Sequence, residues 1–231
     1  MEVNGYKIES GANLSGANLM HANLTGANLT EANLTYVLLK GANLTDVDLT
    51  KANLTNVYLE GANLNRTNLT NANLTNAFLM YTNLEGAFME GANLTGSNVR
   101  RSNLSGVDLT DANLTNVFLE GAFLEGAFLE GANLNRTNLQ TANLNRTKLA
   151  GANLTNANLA SAGLTNAFLM YTNLTGANLR RANLTDANLE GANLTNAILE
   201  GANLTGANLE GANLTGANLF ETTMPDGTIH H

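Results

Sequence analysis

A five-residue period runs through most of this chain without interruption. Residues 11 to 220 divide into 42 pentads with no insertion or deletion, as in GANLT. The fourth residue of the pentad is Leu in 40 of them, and the second residue is Ala in 30. A period this regular indicates a repeat architecture rather than an ordinary globular domain.

The five-residue spacing is incompatible with a helix and with a flat strand. In an α-helix, five residues advance about 500°, so successive leucines would step about 140° around the axis and leave no apolar face. In a flat strand, Ala and Leu share a side, but the next Ala would point to the other side. If the chain bends once per pentad, every Ala and Leu points inward, the third and fifth residues point outward, and the first lies at the corner. Four such bends would close a square coil of 20 residues.

A 20-residue period is also present in the sequence. We name the four pentads of each coil faces one to four, beginning with residues 11–15, 16–20, 21–25 and 26–30. On face one, Asn always precedes the central Leu, and Thr follows it except at Ser15 and Asn135. The central residues of face one, which we expect in the core, are Leu14, Leu34, Leu54, Leu74, Leu94, Leu114, Leu134, Leu154, Leu174, Leu194 and Leu214. No other face is so uniform, so the four sides of the coil are not equivalent.

Apolar outward residues collect on two of the other faces. Face two carries them at its third position, at Leu38, Tyr58, Phe78, Phe118 and Ile198. Face four carries a second set, at Phe88, Phe128 and Phe168. Single exposed apolar residues are normal, but a row of them on one face indicates a docking surface. Face two is therefore the first candidate interaction face, and face four is the second.

Outward charges follow the same period. Residues 20 apart with opposite charges are Glu31 and Lys51, Lys40 and Glu60, Asp46 and Arg66, Arg100 and Glu120, and Arg180 and Glu200. Only Glu190 and Glu210 have the same sign. Neighbours on stacked strands are expected to be complementary, so the charges support the predicted register.

The motif A(N/D)LXX, repeated over residues 11–220, resembles the pentapeptide-repeat family. The resemblance implies an all-β fold, a right-handed quadrilateral parallel β-helix with four pentapeptides and 20 residues per coil. The tail ETTMPDGTIHH is similar to that of short single-domain members from cyanobacteria. More distant members protect gyrase as dimers that mimic DNA. This chain differs from those members, because it has no loop insertion and no Phe at a central core position.

We expect three segments along the chain: an N-terminal cap at residues 1–10, the β-helix at 11–220, and a C-terminal tail at 221–231. Met224 and Ile229 keep the spacing of core residues, so the coils should number about 10.5 to 11 and form a rod roughly 50 Å long. Proline is absent from residues 11–220 because the N–H groups of each coil bond to its neighbour. The sequence MPDG supplies a turn where the ladder ends.

The composition argues against several classes of function. No ionisable residue occupies a second or fourth position, and the chain has three His and no Cys. We therefore expect no catalytic residue, no metal site and no cofactor. The net charge of −8 disfavours direct nucleic-acid binding. With no signal peptide and no 18-residue apolar stretch, we expect a soluble, cytoplasmic protein that does not bind membranes.

Inward second positions carry a hydroxyl in seven pentads. These residues are Thr67, Thr82, Ser97, Ser102, Thr137, Thr147 and Thr172. Because an unpaired buried polar group is costly, we expect each hydroxyl to bond to a backbone acceptor.

The function predicted from these observations is that of a non-enzymatic structural protein or protein-interaction scaffold. Its partner is an unidentified protein, and a homodimer through face two or through the C-terminal end is a further expectation. One alternative is a gyrase-binding DNA mimic, as in the topoisomerase-directed members of the family. A second is ice binding by the flat array of Asn and Thr on face one.

Overall fold

The backbone forms a parallel solenoid with no α-helix. The computed structural model describes all 231 residues. One parallel bridge forms at the third residue of each pentad from Asn13 to Asn203, always with the residue 20 positions later. The fourth residue donates its N–H to the next coil, as from Leu54 N to Asn73 O at 2.7 Å, and Asn73 N donates back to Ala52 O at 3.0 Å. Successive coils are therefore held together by a continuous ladder along each face.

A tight turn joins each pentad to the next. In every turn but the one that ends at Ser102, the second residue of the following pentad donates its N–H to the carbonyl of the fourth residue of the preceding one, as from Ala72 N to Leu69 O at 2.9 Å. The residue between them at the corner has a positive φ, such as +57° at Asn71 and +57° at Thr141. A type II turn requires positive φ at this position and favours Gly or Asn there, which explains the residues that begin most pentads.

The Ala and Leu columns fill the interior. On face one the central leucines from Leu34 to Leu194 are almost completely buried, whereas Leu214 is only partly buried. Valine replaces Ala at several second positions, such as Val57, and is also buried. The core is thus a narrow apolar column that runs along the axis of the solenoid.

Most of the inward hydroxyls donate to backbone carbonyl groups. Thr67 and Thr137 donate to a carbonyl of the preceding coil, and Thr147 donates to one in its own coil. Ser97 is an exception, because its Oγ is buried and has no hydrogen-bond partner. The expectation of an acceptor for every core hydroxyl is therefore wrong at this residue. Ser102, the other inward serine, donates to Leu79 O, so the rotamer at Ser97, and not the residue type, leaves its hydroxyl without an acceptor.

A β-hairpin closes the N-terminal end. Strand β1 (Glu2–Val3) pairs antiparallel with β2 (Tyr6–Lys7). Asn4 and Gly5 join them with φ of +52° and +79°, as a type I′ turn requires. Val3 and Tyr6 pack against the core, and Ile8 is buried in it, so the first coil is covered.

A second hairpin redirects the chain at the other end. Strand β3 (Thr222–Thr223) pairs antiparallel with β4 (Ile229–His230). Ile229 is 54% exposed, so the expectation that it continues the core is wrong. The cause is the turn at Pro225–Gly227, which is closed by Met224 N donating to Thr228 O at 2.7 Å and returns the chain along itself.

The last coil has no coil beyond it. Leu209, Leu214 and Leu219 are only partly buried, and their N–H groups make no backbone hydrogen bond. The two ends of the solenoid therefore differ: the N-terminal end is covered by a hairpin, and the C-terminal end exposes both core leucines and ladder N–H groups.

Candidate functional site

The Asn at the third position has a local structural role. In face one, Asn193 Oδ1 accepts a hydrogen bond from Thr195 N at 3.1 Å and from Thr195 Oγ1 at 2.6 Å. The amide of Asn213 donates in turn to Thr195 Oγ1 at 3.1 Å. Asn and Thr thus cap the turn and link neighbouring coils, which gives face one a structural reason to keep both residue types.

Face two contains a continuous apolar row over three coils. Leu38 is bridged to Tyr58 and Tyr58 to Phe78. The rings of Tyr58 and Phe78 are stacked, with centroids 4.9 Å apart. Tyr58 replaces the usual Asn, so no Asn or Asp oxygen at this position accepts a hydrogen bond from the backbone N–H of residue 60. The apolar residues of this row therefore replace the side chains that normally cap the turn by accepting the N–H of the fifth residue.

The other two predicted residues of face two lie apart from this row. Asn98 separates Phe78 from Phe118, and Phe118 is four coils from Ile198. Phe118 is 40% exposed, and the guanidinium carbon of Arg100 lies 4.6 Å from its ring centroid. The structure thus brings three of the five predicted residues together and leaves two as separate positions.

The aromatic residues of face four alternate with charged ones. Phe88, Phe128 and Phe168 are separated along the ladder by Asp108 and Lys148. The Lys148 Nζ lies 4.2 Å from the Phe128 ring centroid, a cation–π contact. This set is therefore a mixed apolar and charged surface rather than a continuous apolar row.

Two shallow notches interrupt the surface, and the sequence interpretation identified neither. One, of about 130 Å³, lies on face four beside Ala150. The other, of about 160 Å³, is lined by polar residues near Asn145. At the second notch, Gly163 replaces the usual Asn, and Asn145 of the preceding coil supplies the missing acceptor to Thr165 N at 2.9 Å. For the first notch the sequence signal is Ala150, a small residue between the longer Glu130 and Met170 of its column.

Three of the five predicted charge pairs form ion pairs. They are Asp46 with Arg66, Arg100 with Glu120, and Arg180 with Glu200. Glu31 with Lys51 and Lys40 with Glu60 do not come within ion-pair distance. Exposed ion pairs contribute little to stability, so the pairs indicate register more than they hold the fold.

Hydrogen bonds shift the pKa of two groups on different faces in opposite directions. A hydrogen bond from the Thr50 hydroxyl lowers the pKa of Asp48, despite the opposing effect of burial. A hydrogen bond to Glu190 raises the pKa of Tyr171. No group of three or more His, Cys, Asp or Glu residues is arranged to hold a metal ion. None of the predicted site residues has the neighbours that acid–base or nucleophilic chemistry requires.

The sequence model for pentapeptide repeats matches this chain in eight copies. The matched residues include the overlapping ranges 10–46, 42–86, 79–111, 112–149, 138–176, 171–201 and 182–219. The chain belongs to the pentapeptide-repeat family. The fold of this pentapeptide-repeat protein is accordingly a right-handed β-helix.

Solved structures of other pentapeptide-repeat proteins are similar to this one. HetL, involved in heterocyst differentiation regulation in the cyanobacterium Nostoc sp. strain PCC 7120, is 34% identical; the match covers 98% of this chain and 94% of HetL, with a TM-score of 0.75. A pentapeptide repeat protein of the Arabidopsis thaliana thylakoid lumen is 31% identical over 37% of this chain and 60% of that chain, with a TM-score of 0.37.

A more distant match is QnrB1, a plasmid-mediated fluoroquinolone resistance protein. It is 19% identical over 70% of this chain and 88% of that chain, with a TM-score of 0.45. A search of the curated proteins found no match to this chain.

No helix in the structure has the length and apolar character needed to cross a membrane. The cytoplasmic location stays a prediction.

Proposed function

We propose that this pentapeptide-repeat protein is a non-enzymatic scaffold that binds another protein through face two. The single observation that carries the proposal is the continuous row of Leu38, Tyr58 and Phe78 on three successive coils. Replacing Asn in this row removes a turn cap without adding a core contact, so the row has a cost to local structure. A docking surface is a reason to accept that cost.

We also propose the finer geometry of the scaffold. Four bridges and four turns in each 20 residues support a quadrilateral cross-section. The extent of the ladder, from Asn13 to Thr223, supports about 10.5 coils. In this arrangement residues 1–10 act as a cap, residues 11–220 form the β-helix, and residues 221–231 form a tail.

The C-terminal end is a second place for self-association. Its exposed leucines and unpaired N–H groups resemble the open edge of a sheet, which can pair with another chain. Two copies related by a two-fold axis could bring these edges together in antiparallel fashion. The acidic side chains Glu210 and Glu221 near this end would repel one another in such a dimer. Face two therefore remains the preferred surface.

The test restores the repeat's own residue on face two. The variant carries Tyr58→Asn, Phe78→Asn and Phe118→Asn together, and capture of partners from the source cell is measured by mass spectrometry, with self-association measured by light scattering. We expect circular dichroism and melting to stay nearly unchanged, while partner capture or association decreases. Leu114→Asn is the contrasting control, since it buries an unpaired amide and should damage the fold. A folded triple variant that binds and associates as before would exclude face two.

The DNA-mimic alternative is favoured by one feature, the acidic balance of the chain. The net charge is −8, and no Lys or Arg follows Arg181. A gyrase supercoiling assay with increasing protein separates the two functions: inhibition at micromolar concentration supports the mimic, and unchanged supercoiling supports the scaffold. The ice-binding alternative stays a prediction, which an ice recrystallisation assay would test.

A further inference from the structure

The notch on face four exists because one outward side chain is short. Ala150 lies in the fifth-position column between Glu130 and Met170, both of which have long side chains. Lys148 and Phe168 complete the lining, and the volume is about 130 Å³. This space accommodates a single side chain rather than a whole small-molecule ligand, for which pockets are typically about 300 Å³ or larger.

A carboxylate oxygen in this notch has no partner. Glu130 Oε2 is buried and makes no hydrogen bond. Glu120 and Glu200, at fifth positions of face two, are paired with Arg100 and Arg180, whereas Glu130 forms no ion pair. The nearest cation of the same chain, Lys148, instead places its Nζ against the Phe128 ring. A carboxylate beside an apolar notch without a donor is costly, so a further cationic group placed in the notch would be stabilising.

We propose that this notch binds a Lys or Arg side chain from a basic segment of a partner protein. The aliphatic stem of that side chain would lie against Phe168, Met170 and Ala150, and its charged end would donate to the half-buried Glu130 carboxylate at the edge of the notch. Long basic side chains have this division between an apolar stem and a charged head. The inference deepens the proposed scaffold function and rests on it, but it assigns a different face and a specific chemistry.

Carboxylates beyond the notch indicate that the bound basic segment extends from the notch toward the C-terminal end of the solenoid. Glu190 and Glu210 continue the same fifth-position column toward the C-terminus, and no Lys or Arg occurs after Arg181. At about 4.8 Å per coil, Glu210 lies roughly 19 Å from Glu130. An extended basic segment can reach from the notch to these carboxylates. An acidic segment would be repelled by all three, and an apolar one would leave the Glu130 carboxylate without a counter-charge.

The experiment measures binding of a fluorescein-labelled oligolysine by fluorescence anisotropy. A peptide of about nine residues spans roughly 30 Å when extended, enough to cover the column. Two variants alter the notch: Glu130→Gln removes its charge, and Ala150→Met fills it without changing any charge. Their matched controls are Glu90→Gln, which follows an exposed Phe on the same face, and Ala160→Met, which makes the same change at a fifth position of face two.

We expect each notch variant to weaken binding about tenfold, as for loss of a charge-assisted hydrogen bond, and each control to change it less than about twofold. Lys148→Met should strengthen binding, because it removes a like charge beside the site. Thermal melting of every variant verifies that it is folded. Equal losses in a notch variant and its control would overturn the proposal, since they indicate attraction to the net charge alone. Failure of the unaltered protein to bind oligolysine would also overturn the proposal.

The face-two variant separates this inference from the scaffold proposal. If Tyr58→Asn, Phe78→Asn and Phe118→Asn leave oligolysine binding intact while abolishing partner capture, both proposals stand on separate surfaces. If the notch variants have no effect on oligolysine binding but the face-two variant still loses its partner, only the notch proposal fails.

Discussion

The rings of Tyr58 and Phe78 lie parallel, with an interplanar angle of 2° and centroids 4.9 Å apart. This distance equals the usual spacing between hydrogen-bonded strands, so the backbone ladder itself sets the stacking distance. Two aromatic residues 20 positions apart on one face are therefore stacked without any further adjustment of the chain.

The stacking should appear as a coupling between the two residues. A double-mutant cycle compares the unaltered protein with Tyr58→Asn, Phe78→Asn and the double variant. We expect a coupling energy of about 0.5–1.5 kcal/mol in the free energy of unfolding. Each single change should cost little, because the new Asn can accept the N–H of residue 60 or 80. The measurement is urea unfolding followed by circular dichroism. Leu38→Asn with Ile198→Asn, far apart on the same face, should be additive, and additivity in the aromatic pair would contradict direct stacking.

The turn cap predicts an asymmetry between two substitutions at Asn193. Asn193→Ala removes the acceptor of both Thr195 groups and should cost about 1 kcal/mol. Asn193→Asp keeps the oxygen and should cost much less at neutral pH, because Asp48 and Asp108 already make the same bonds. Thermal melting of the two variants side by side tests this. Equal losses would show that the amide Nδ2, rather than Oδ1, is the important group.

The lowered pKa of Asp48 predicts a small dependence of stability on pH. The Thr50 hydroxyl bonds to the charged carboxylate, so the folded-state pKa lies below the unfolded value. The stabilisation is then fully present above the unfolded value of about 4 and is lost as the pH falls through the lower folded value. Asp48→Asn lacks this titration. The difference in melting temperature between the unaltered protein and this variant should be constant from about pH 5 to 7 and shift against the unaltered protein in acid. A constant difference at all pH values would refute the assignment.

Strain at one corner should be removable. Thr141 is β-branched and has φ of +57°, a conformation that such residues rarely adopt. Thr141→Asn places a residue there that tolerates this conformation and should raise stability by about 1 kcal/mol. The reverse change at an equivalent corner, Asn156→Thr, should lower stability by a similar amount, since Asn156 also has φ of +57°. Melting temperatures that do not move in opposite directions would show that the corners are not strained.

The interior and the register were predictable from the sequence because they follow from a simple periodic rule. Every bridge joins the third residues of two pentads that lie 20 positions apart, as the stacked columns of Asn, Leu and Ala require. The two ends were less predictable. At the N-terminal end Asn4 and Gly5 are a recognised hairpin signal. At the C-terminal end Ile229 keeps the core spacing, although the preceding turn directs it outward. Spacing alone does not reveal where the ladder stops.

The candidate surfaces were predictable only in part. The sequence indicates which column a residue occupies, and so it identified Tyr58 and Phe78 as neighbours. It does not indicate where a side chain turns within that column. Lys148 bends toward Phe128 rather than toward Glu130, and this choice of rotamer creates the unpaired carboxylate. Side-chain direction at exposed positions depends on several weak contacts, which a repeat pattern does not encode.

Because successive coils are always 20 residues apart, the face on which a residue lies depends only on its place within the 20-residue period. Removing residues 131–150 would delete one coil and leave every later residue on its original face. Removing only residues 131–135 would instead turn every later pentad to the adjacent face, so Phe168 would move from face four to face three while its core neighbours changed little. In this architecture, gain or loss of a single pentad would rearrange the whole exterior beyond it without requiring any new interior. Duplication and deletion in such a gene can therefore create new combinations of surface residues on an unchanged core.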